Sequence, residues 1–497
     1  MTHAFSRRSF LAALAAGTAG PALAKAPLTS LHPVARGEDL RLRTLRTPDE
    51  IIAAARLDGR IGFAVADVST GKLLEAHDPD IGMPPASVAK ALTASYALET
   101  LGPGHHFVTR LVATGGIVDG AVQGDLVLVG GGDPTLDTDK LSTLAQQLKD
   151  AGIREVRGRF AVWGGSLPFT PVIDDEQPDQ VGYNPAVSGI ALNYNRVHFE
   201  WRRQGSDYAI SMDARSEAYR PEVVMARMVV VDRNGPLYTY RDAGQRDDWT
   251  VAKWALGKGG ARWLPVRKPE LYAGQVFQTF AGAQGIRLKA PVVLDAAPEG
   301  GTEIGQLQSA PLRIILRDML KWSTNLTAEM VGLAASRERL GEVASLKASA
   351  EEMNGWAKQA LGLRSVAFED HSGLGDDSRI SAADMMRAML AVRERLGLKP
   401  LLKSFPMRDD QRRIVADHPL AVHAKTGTLN FVSGLSGFVD LPDGTELAFA
   451  IFAANTAERD KLSREERERP PGASEWNGRA KRLQEALIER WGVLYAA

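Results

Sequence analysis

The tightest constraint on this chain is Pro84-Pro85-Ala86-Ser87-Val88-Ala89-Lys90, where a hydroxyl and an amine stand three residues apart at the opening of a helix. Val88, Leu92 and Tyr96 recur at helical spacing, and Gly102-Pro103-Gly104 stops the run. Ser87 therefore falls in the first turn. Residues three apart on a helix share a face, so the Lys90 amine lies beside the Ser87 hydroxyl and can take its proton. The helix N-terminus adds free N–H groups and partial positive charge where a carbonyl under attack would become an oxyanion. A Ser-x-x-Lys spacing arises by chance in most chains of this size and defines no activity alone. Two later stretches add to it: Ser323-Thr324-Asn325 between two helical patterns, and Lys425-Thr426-Gly427-Thr428 running into an apolar, strand-like segment.

The two ends of the chain read as parts of one domain. Ile61 to Asp67 is a buried strand, Ser69-Thr70-Gly71 a turn, and Lys72 to Ala76 the returning strand, immediately before the Ser87 helix. A matching hairpin, Gly434 to Asp440 and Glu446 to Phe452, flanks Pro442-Asp443-Gly444. Trp476, Ala480, Leu483, Leu487 and Trp491 then share one helical face, suited to covering an antiparallel sheet. The stretch from Ser87 to Ser323 is more than twice as long as that from Ser323 to Lys425, more than two neighbouring site elements need. The expected organisation is α+β: a domain from residues 25–104 and 301–497, an inserted domain from 105–184 and 266–300, and a second, strand-rich insert at 185–265. In the first insert the strand Leu126-Val127-Leu128-Val129 ends in Gly130-Gly131-Gly132-Asp133-Pro134, and Leu141 to Leu148 forms a helix. A similar pattern returns at Val276 to Phe280.

The first residues read as an address. Ser6-Arg7-Arg8-Ser9-Phe10-Leu11 is a twin-arginine pattern, followed by an Ala/Leu/Gly run and by Ala22-Leu23-Ala24, a small-x-small cleavage site. The run carries Gly and Pro and falls short of the ~20 strongly apolar residues of a membrane span. A signal over residues 1–24 and a mature protein in the periplasm or exported cell envelope are expected, with no stable span after cleavage. The formal net charge of +0 gives no reason to expect a nucleic acid or an anionic membrane as partner. There are 0 cysteines, which excludes disulfides, cysteine nucleophiles and thiolate metal sites. His105, His106, His418 and His423 lack companions at ligand spacing, so neither metal nor other cofactor is expected. Gly130-Gly131-Gly132 lacks the frame of a phosphate loop and reads as a turn. Asp370, Asp376 and Asp377 border a Gly-containing loop that turn chemistry explains equally well, and Glu458 to Arg469 reads as a solvated loop.

The set Ser87-x-x-Lys90, Ser323-Thr324-Asn325 and Lys425-Thr426-Gly427 resembles that of class A β-lactamases and penicillin-binding proteins. With the wide spacing of the first two motifs, Gly130 to Pro134, Asn193-Tyr194-Asn195-Arg196, and Ser372-Gly373-Leu374 followed by Arg379-Ile380-Ser381, the chain is similar to the D-alanyl-D-alanine carboxypeptidase/endopeptidase family, the class C low-molecular-mass penicillin-binding proteins. Thr324 departs from the family, which more often has Asp there. The resemblance implies a penicillin-binding, serine β-lactamase-like transpeptidase domain, an antiparallel sheet covered by helices, with a large two-domain insertion between the first two motifs. It also implies a serine DD-peptidase that cleaves the terminal D-Ala, and D-Ala cross-links, of peptidoglycan stem peptides, and that β-lactam antibiotics acylate. Ser87 would be the nucleophile and Lys90 its base, its pKa lowered by partial burial and by Lys425. Ser323 would relay a proton to the leaving amine, Asn325 would hold Lys90 and the substrate amide, and Lys425 would add positive potential. Thr426, Gly427 and Thr428 would bind substrate, the hydroxyls of Thr426 and Thr428 meeting its carboxylate and the N–H groups of Ser87 and Thr428 forming the oxyanion hole. A β-lactamase or esterase on the same machinery, and an inactive peptidoglycan-binding scaffold, are the alternatives.

Overall fold

Period-two alternation in the two hairpins builds the scaffold. Strand Arg60–Asp67 sends Phe63 and Val65 to one face and Ala64 and Ala66 to the other, and all four are buried. Strand Glu446–Ala454 does the same with Phe449 and Ile451 against Ala448, Ala450 and Phe452. A sheet apolar on both faces must be covered on both. The computed structural model, which describes residues 45–409 and 411–496, shows how. The expected signal over residues 1–24 lies outside the described residues. Six antiparallel strands run in the order Lys403–Ser404, Ala421–Leu429, Val432–Asp440, Glu446–Ala454, Arg60–Asp67, Leu73–His77. Helix Ala473–Leu494 covers one face with Trp476, Leu483, Leu487 and Trp491. The Ser87 helix, Ala89–Leu101, lies on the other with helices Leu312–Trp322, Asn325–Leu340, Leu346–Leu361 and Ala382–Arg395. The Ser87 helix is buried on every side from Ala89 to Leu98, and its four alanines let neighbours approach closely.

Between the first two motifs the chain forms separate sheets. One has five strands in the order Val292–Val293, Phe160–Trp163, Leu126–Val129, Val108–Ala113, Thr302–Gln308. Its last strand pairs antiparallel with Val108–Ala113 and so carries this sheet past residue 300, where the insert was expected to end. Two three-stranded sheets are built within residues 196–265. They share one apolar core with the five-stranded sheet, in which Phe199, Trp249 and Leu264 join Leu128, Phe160 and Phe277. Val276 to Phe280, where the pattern of the first half of the insert returns, lies in helix Pro269–Ala283 within that core. In the Gly130-Gly131-Gly132 turn a Cβ on Gly131 would stand 1.9 Å from the Val108 carbonyl oxygen, so packing fixes that glycine. No helix among the described residues is long and apolar enough to cross a membrane.

Gly437 pairs with Ala424, next to Lys425, and a Cβ there would lie 2.1 Å from the His423 carbonyl oxygen. Gly437→Ala is expected to cost about 1–3 kcal/mol in urea unfolding, because backbone must give way. Gly355→Ala, in a helix with nothing within 4 Å of the added carbon, is expected to stabilise by up to about 1 kcal/mol.

Candidate active site

Ser87 sits on a short 3-10 turn, Ala86–Val88, that feeds directly into helix Ala89–Leu101. Ala86 holds φ 47 and Ser323, the residue ending helix Leu312–Trp322, holds φ 61. Left-handed backbone at non-glycine residues costs on the order of 1–3 kcal/mol each and persists only where packing holds it. Here two glycines bring the packing in. A Cβ on Gly427 would come within 2.5 Å of the Pro85 carbonyl oxygen, and one on Gly373, at φ +72, within 2.0 Å of that of Ala86. The Lys425 strand and the 370–375 loop thus close on the Ser87 turn from two sides.

Three expected residues meet at one amine. Lys90 Nζ lies 2.9 Å from Ser87 Oγ, 2.8 Å from Asn325 Oδ1 and 2.7 Å from the Ser372 carbonyl oxygen. Lys425 Nζ donates to Ser323 Oγ at 2.9 Å and to the Thr426 carbonyl at 2.7 Å. Ser87, Ser323, Asn325 and Thr428 line one pocket of about 290 Å³, whereas Thr426, exposed one step back along the strand, lies outside its lining. Thr324, the departure from the family triplet, is the N-cap residue of helix Asn325–Leu340.

Both lysines are out of water. Burial lowers the Lys90 amine to about 8, while the neighbouring carboxylates Asp370 and Glu329 pull it upward. Burial likewise takes Lys425 well below the lysine range, with Lys90 and Lys403 pushing the same way. The main opposing charges on Lys90 are therefore two buried carboxylates that the sequence left out of the site. Asp370 does more than form a turn: it takes the N–H groups of Gly373 at 2.5 Å and Gly375 at 2.7 Å. Glu329 takes those of His371 and Ser372. Burial raises both carboxylates above their ordinary values. Glu329 left one trace in sequence, a lone charge amid Leu326, Ala328, Met330 and Val331 one turn after Asn325.

The expectation of a solvated loop at Glu458 to Arg469 is corrected. Arg459 and Arg467 are buried, and both bind Asp376, Arg459 Nε at 2.9 Å and Arg467 Nη1 at 2.6 Å. Arg464 bonds Asp179 and the Gln177 carbonyl at 2.8 Å, and Glu468 takes bonds from Arg262 at 2.8 Å and Gln180 at 2.7 Å. Charge density misled the reading for Arg459, Arg464, Arg467 and Glu468, which pair across a cleft, whereas Asp460, Lys461, Glu465, Glu466 and Arg469 do face water. The segment is a strap that links the Ser87 side to the inserted sheets, and Arg459, Arg467 and Glu468 line the pocket with Gln177 and Tyr183 from the insert. Asn325 Nδ2 donates to the Tyr183 carbonyl at 2.9 Å.

A serine on the 3-10 turn that opens a buried helix, an amine held against it, a second Ser–Lys pair opposite, and an antiparallel sheet behind are the arrangement of the penicillin-binding class of serine enzymes. The chain belongs to the D-Ala-D-Ala carboxypeptidase 3 (S13) family, which matches residues 46–469, and is accordingly a serine peptidase. It is 27% identical over 447 residues to a D-alanyl-D-alanine carboxypeptidase of Actinomadura, covering 83% of this chain and 81% of that one. The crystal structure of penicillin-binding protein 4 from Haemophilus influenzae has the same fold, with a TM-score of 0.72 at 20% identity, covering 90% of this chain and 100% of that one. A structure of that protein complexed with a β-lactam gives a TM-score of 0.69 at 20% identity, over 89% of this chain and 99% of the other.

Asp376→Ala would leave two buried guanidinium groups side by side without their shared carboxylate. With Asp376 itself partly exposed, the expected loss is about 2 kcal/mol, read as a lower midpoint in urea unfolding.

Proposed function

We propose that the D-Ala-D-Ala carboxypeptidase reaction of the family runs in this chain through Ser87. Neutral Lys90 takes the Ser87 proton, and Oγ attacks the penultimate D-Ala carbonyl of a peptidoglycan stem peptide. The oxyanion is assigned to the backbone N–H groups of Ser87 and Thr428. Ser323, held by Lys425, passes the proton to the departing D-Ala amine. Water then frees the acyl-enzyme. Asn325 holds Lys90 and faces the substrate amide, Lys425 adds positive potential, and the hydroxyls of Thr426 and Thr428 meet the terminal carboxylate; Gly427 lets the strand lie against the Ser87 turn. The observation that carries this reading is the 2.9 Å approach of an amine with no exposed surface to a half-buried serine on the pocket wall.

The same acyl-enzyme would form when the leaving group is the amine of a neighbouring stem, so we assign D-Ala cross-link cleavage to the same site. β-Lactams, as dipeptide mimics, would acylate Ser87. A substrate in the cell wall requires a position outside the cytoplasm, and the twin-arginine pattern at residues 6–11 supplies a route to the periplasm. We read residues 105–184 with 266–308, and 185–265, as the two parts of the insert, with the strap at Glu458 to Arg469 joining them to the domain of residues 45–104 and 309–496.

The test is labelling of purified protein by a fluorescent penicillin over time, with release of D-Ala from a stem pentapeptide. Stable label on wild type, none on Ser87→Ala, and D-Ala release only by wild type are expected. Label that turns over rapidly would favour a β-lactamase, and absence of label from folded wild type would reject the assignment. Lys90 must lose a proton to act as base, so the acylation rate is expected to climb with pH up to about 8 and then level.

A further inference from the structure

One turn beyond Asn325 on the same helix stands Glu329, without exposed surface, on the helix packed against that of Lys90. Residues four apart share a helix face, so both look toward the same amine. Asn325 reaches it directly, with Oδ1 2.8 Å from Nζ. Glu329 reaches it through one residue, Ser372. Its Oε2 accepts from His371 N and its Oε1 from Ser372 N, both at 2.9 Å, and the Ser372 carbonyl accepts from Lys90 Nζ at 2.7 Å.

A lysine ammonium carries three N–H groups, while the free amine carries two and a lone pair. Lys90 has three partners. Two of them, Asn325 Oδ1 and the Ser372 carbonyl, only accept, whereas the Ser87 hydroxyl can also donate. With its two N–H groups on the fixed acceptors, the lone pair of the free amine falls on Ser87. This holds only while the Ser372 carbonyl stays aimed at the amine, and that peptide lies in a loop, not in a helix or strand. Two carboxylates stop it turning: Glu329, spanning the N–H groups of His371 and Ser372, holds Ser372 from its N-terminal side, and Asp370 holds Gly373 N, the N–H of the carbonyl's own peptide. Thr93 Oγ1 donates to the His371 carbonyl at 2.6 Å.

Proton transfer from Ser87 then creates an ammonium in a site closed to water. Among the groups facing it, Glu329 and Asp370 favour that charge and Lys425 opposes it. His371, buried with Nε2 2.7 Å from Ser349 Oγ, stays neutral.

Resting on the roles proposed for Ser87 and Lys90, we infer that Glu329 is the positioning residue of the general base. Its carboxylate fixes the 371–372 peptide on the N-terminal side of Ser372, while Asp370 holds the peptide that carries the Ser372 carbonyl, so that this carbonyl and Asn325 orient the free amine toward Ser87, and Glu329 supplies negative charge against which the ammonium forms.

The experiment measures penicillin acylation against pH for wild type, Glu329→Gln and Glu329→Asp, separating the noncovalent dissociation constant from the acylation rate constant. Glu329→Gln keeps the size but loses the charge and an acceptor. Its acylation rate constant is expected to fall about a hundredfold with the dissociation constant unchanged, the scale of losing one preorganised electrostatic group. Its acid limb is expected to move to lower pH, because a carboxylate that favours protonated Lys90 is gone. Glu329→Asp, which keeps the charge but not the reach, is expected to lose less and to keep the wild-type limb. A Glu329→Gln enzyme with the wild-type rate constant, or with a lower one and an unmoved limb, would overturn the inference. Should Glu329→Gln fail to fold, Glu329→Asp decides: a loss of about tenfold at an unmoved limb supports the inference, and the wild-type rate constant overturns it. Wild type that takes no label overturns the roles of Ser87 and Lys90 and this inference together; labelled wild type matched by Glu329→Gln overturns the inference alone.

Discussion

Removing a lysine ammonium from water costs several kcal/mol even after the protein relaxes, and the region around Ser87 is organised about that cost. Lys90 is buried on a helix that is itself buried on all sides, so its amine meets only groups the fold supplies. Three oxygens reach it, from the nucleophile turn, the Asn325 helix and the 370–375 loop. Two carboxylates lie behind the loop, and their own burial is tolerated because backbone N–H groups satisfy their oxygens. The strained backbone at Ala86 belongs to the same design, since Gly373 and Gly427, on the elements that close around the amine, press on that turn.

The inserted sheets take part in that closure. Leu167, Val187 and Ala191 pack against Leu326, Met330 and Leu333 on the helix that begins at Asn325. The Tyr183 carbonyl fixes the Asn325 amide from outside while Lys90 fixes it from inside. An asparagine held at both ends of its amide has one orientation, and so has the amine bonded to it. The strap completes the enclosure by pairing Arg459 and Arg467 with Asp376 on one side and Arg464 and Glu468 with the insert on the other. The insert is thus a wall of the pocket.

Much of this was legible in the residues. The Ser87 helix, both hairpins and the C-terminal helix announce themselves by periodicity and by Gly and Pro at their ends, because local sterics and one-sided burial write those signals into adjacent positions. The three motifs are likewise local. What stayed hidden depends on pairing across long separations. Glu329 and Asp370 carry no motif of their own, and their meaning comes from the 371–375 peptides they satisfy. The strand Thr302–Gln308 has weak alternation, and only its partner Val108–Ala113 explains it. The charged run at Glu458 to Arg469 looks like a solvated surface until its partners Asp376, Asp179 and Arg262 are found elsewhere in the chain.

The pairing of Arg60–Asp67 with Glu446–Ala454 has a consequence in time. Closing a seam between segments so far apart is entropically expensive and slow, so it follows the local helices and hairpins. During synthesis Ser87 and Lys90 emerge early, while Gly373 and Gly427, which press on the Ser87 turn, and Lys425, which holds Ser323, arrive late. A nascent or C-terminally truncated chain therefore carries Ser87 and Lys90 without the strand and loop that enclose them, and the pocket is complete only once the last strands dock.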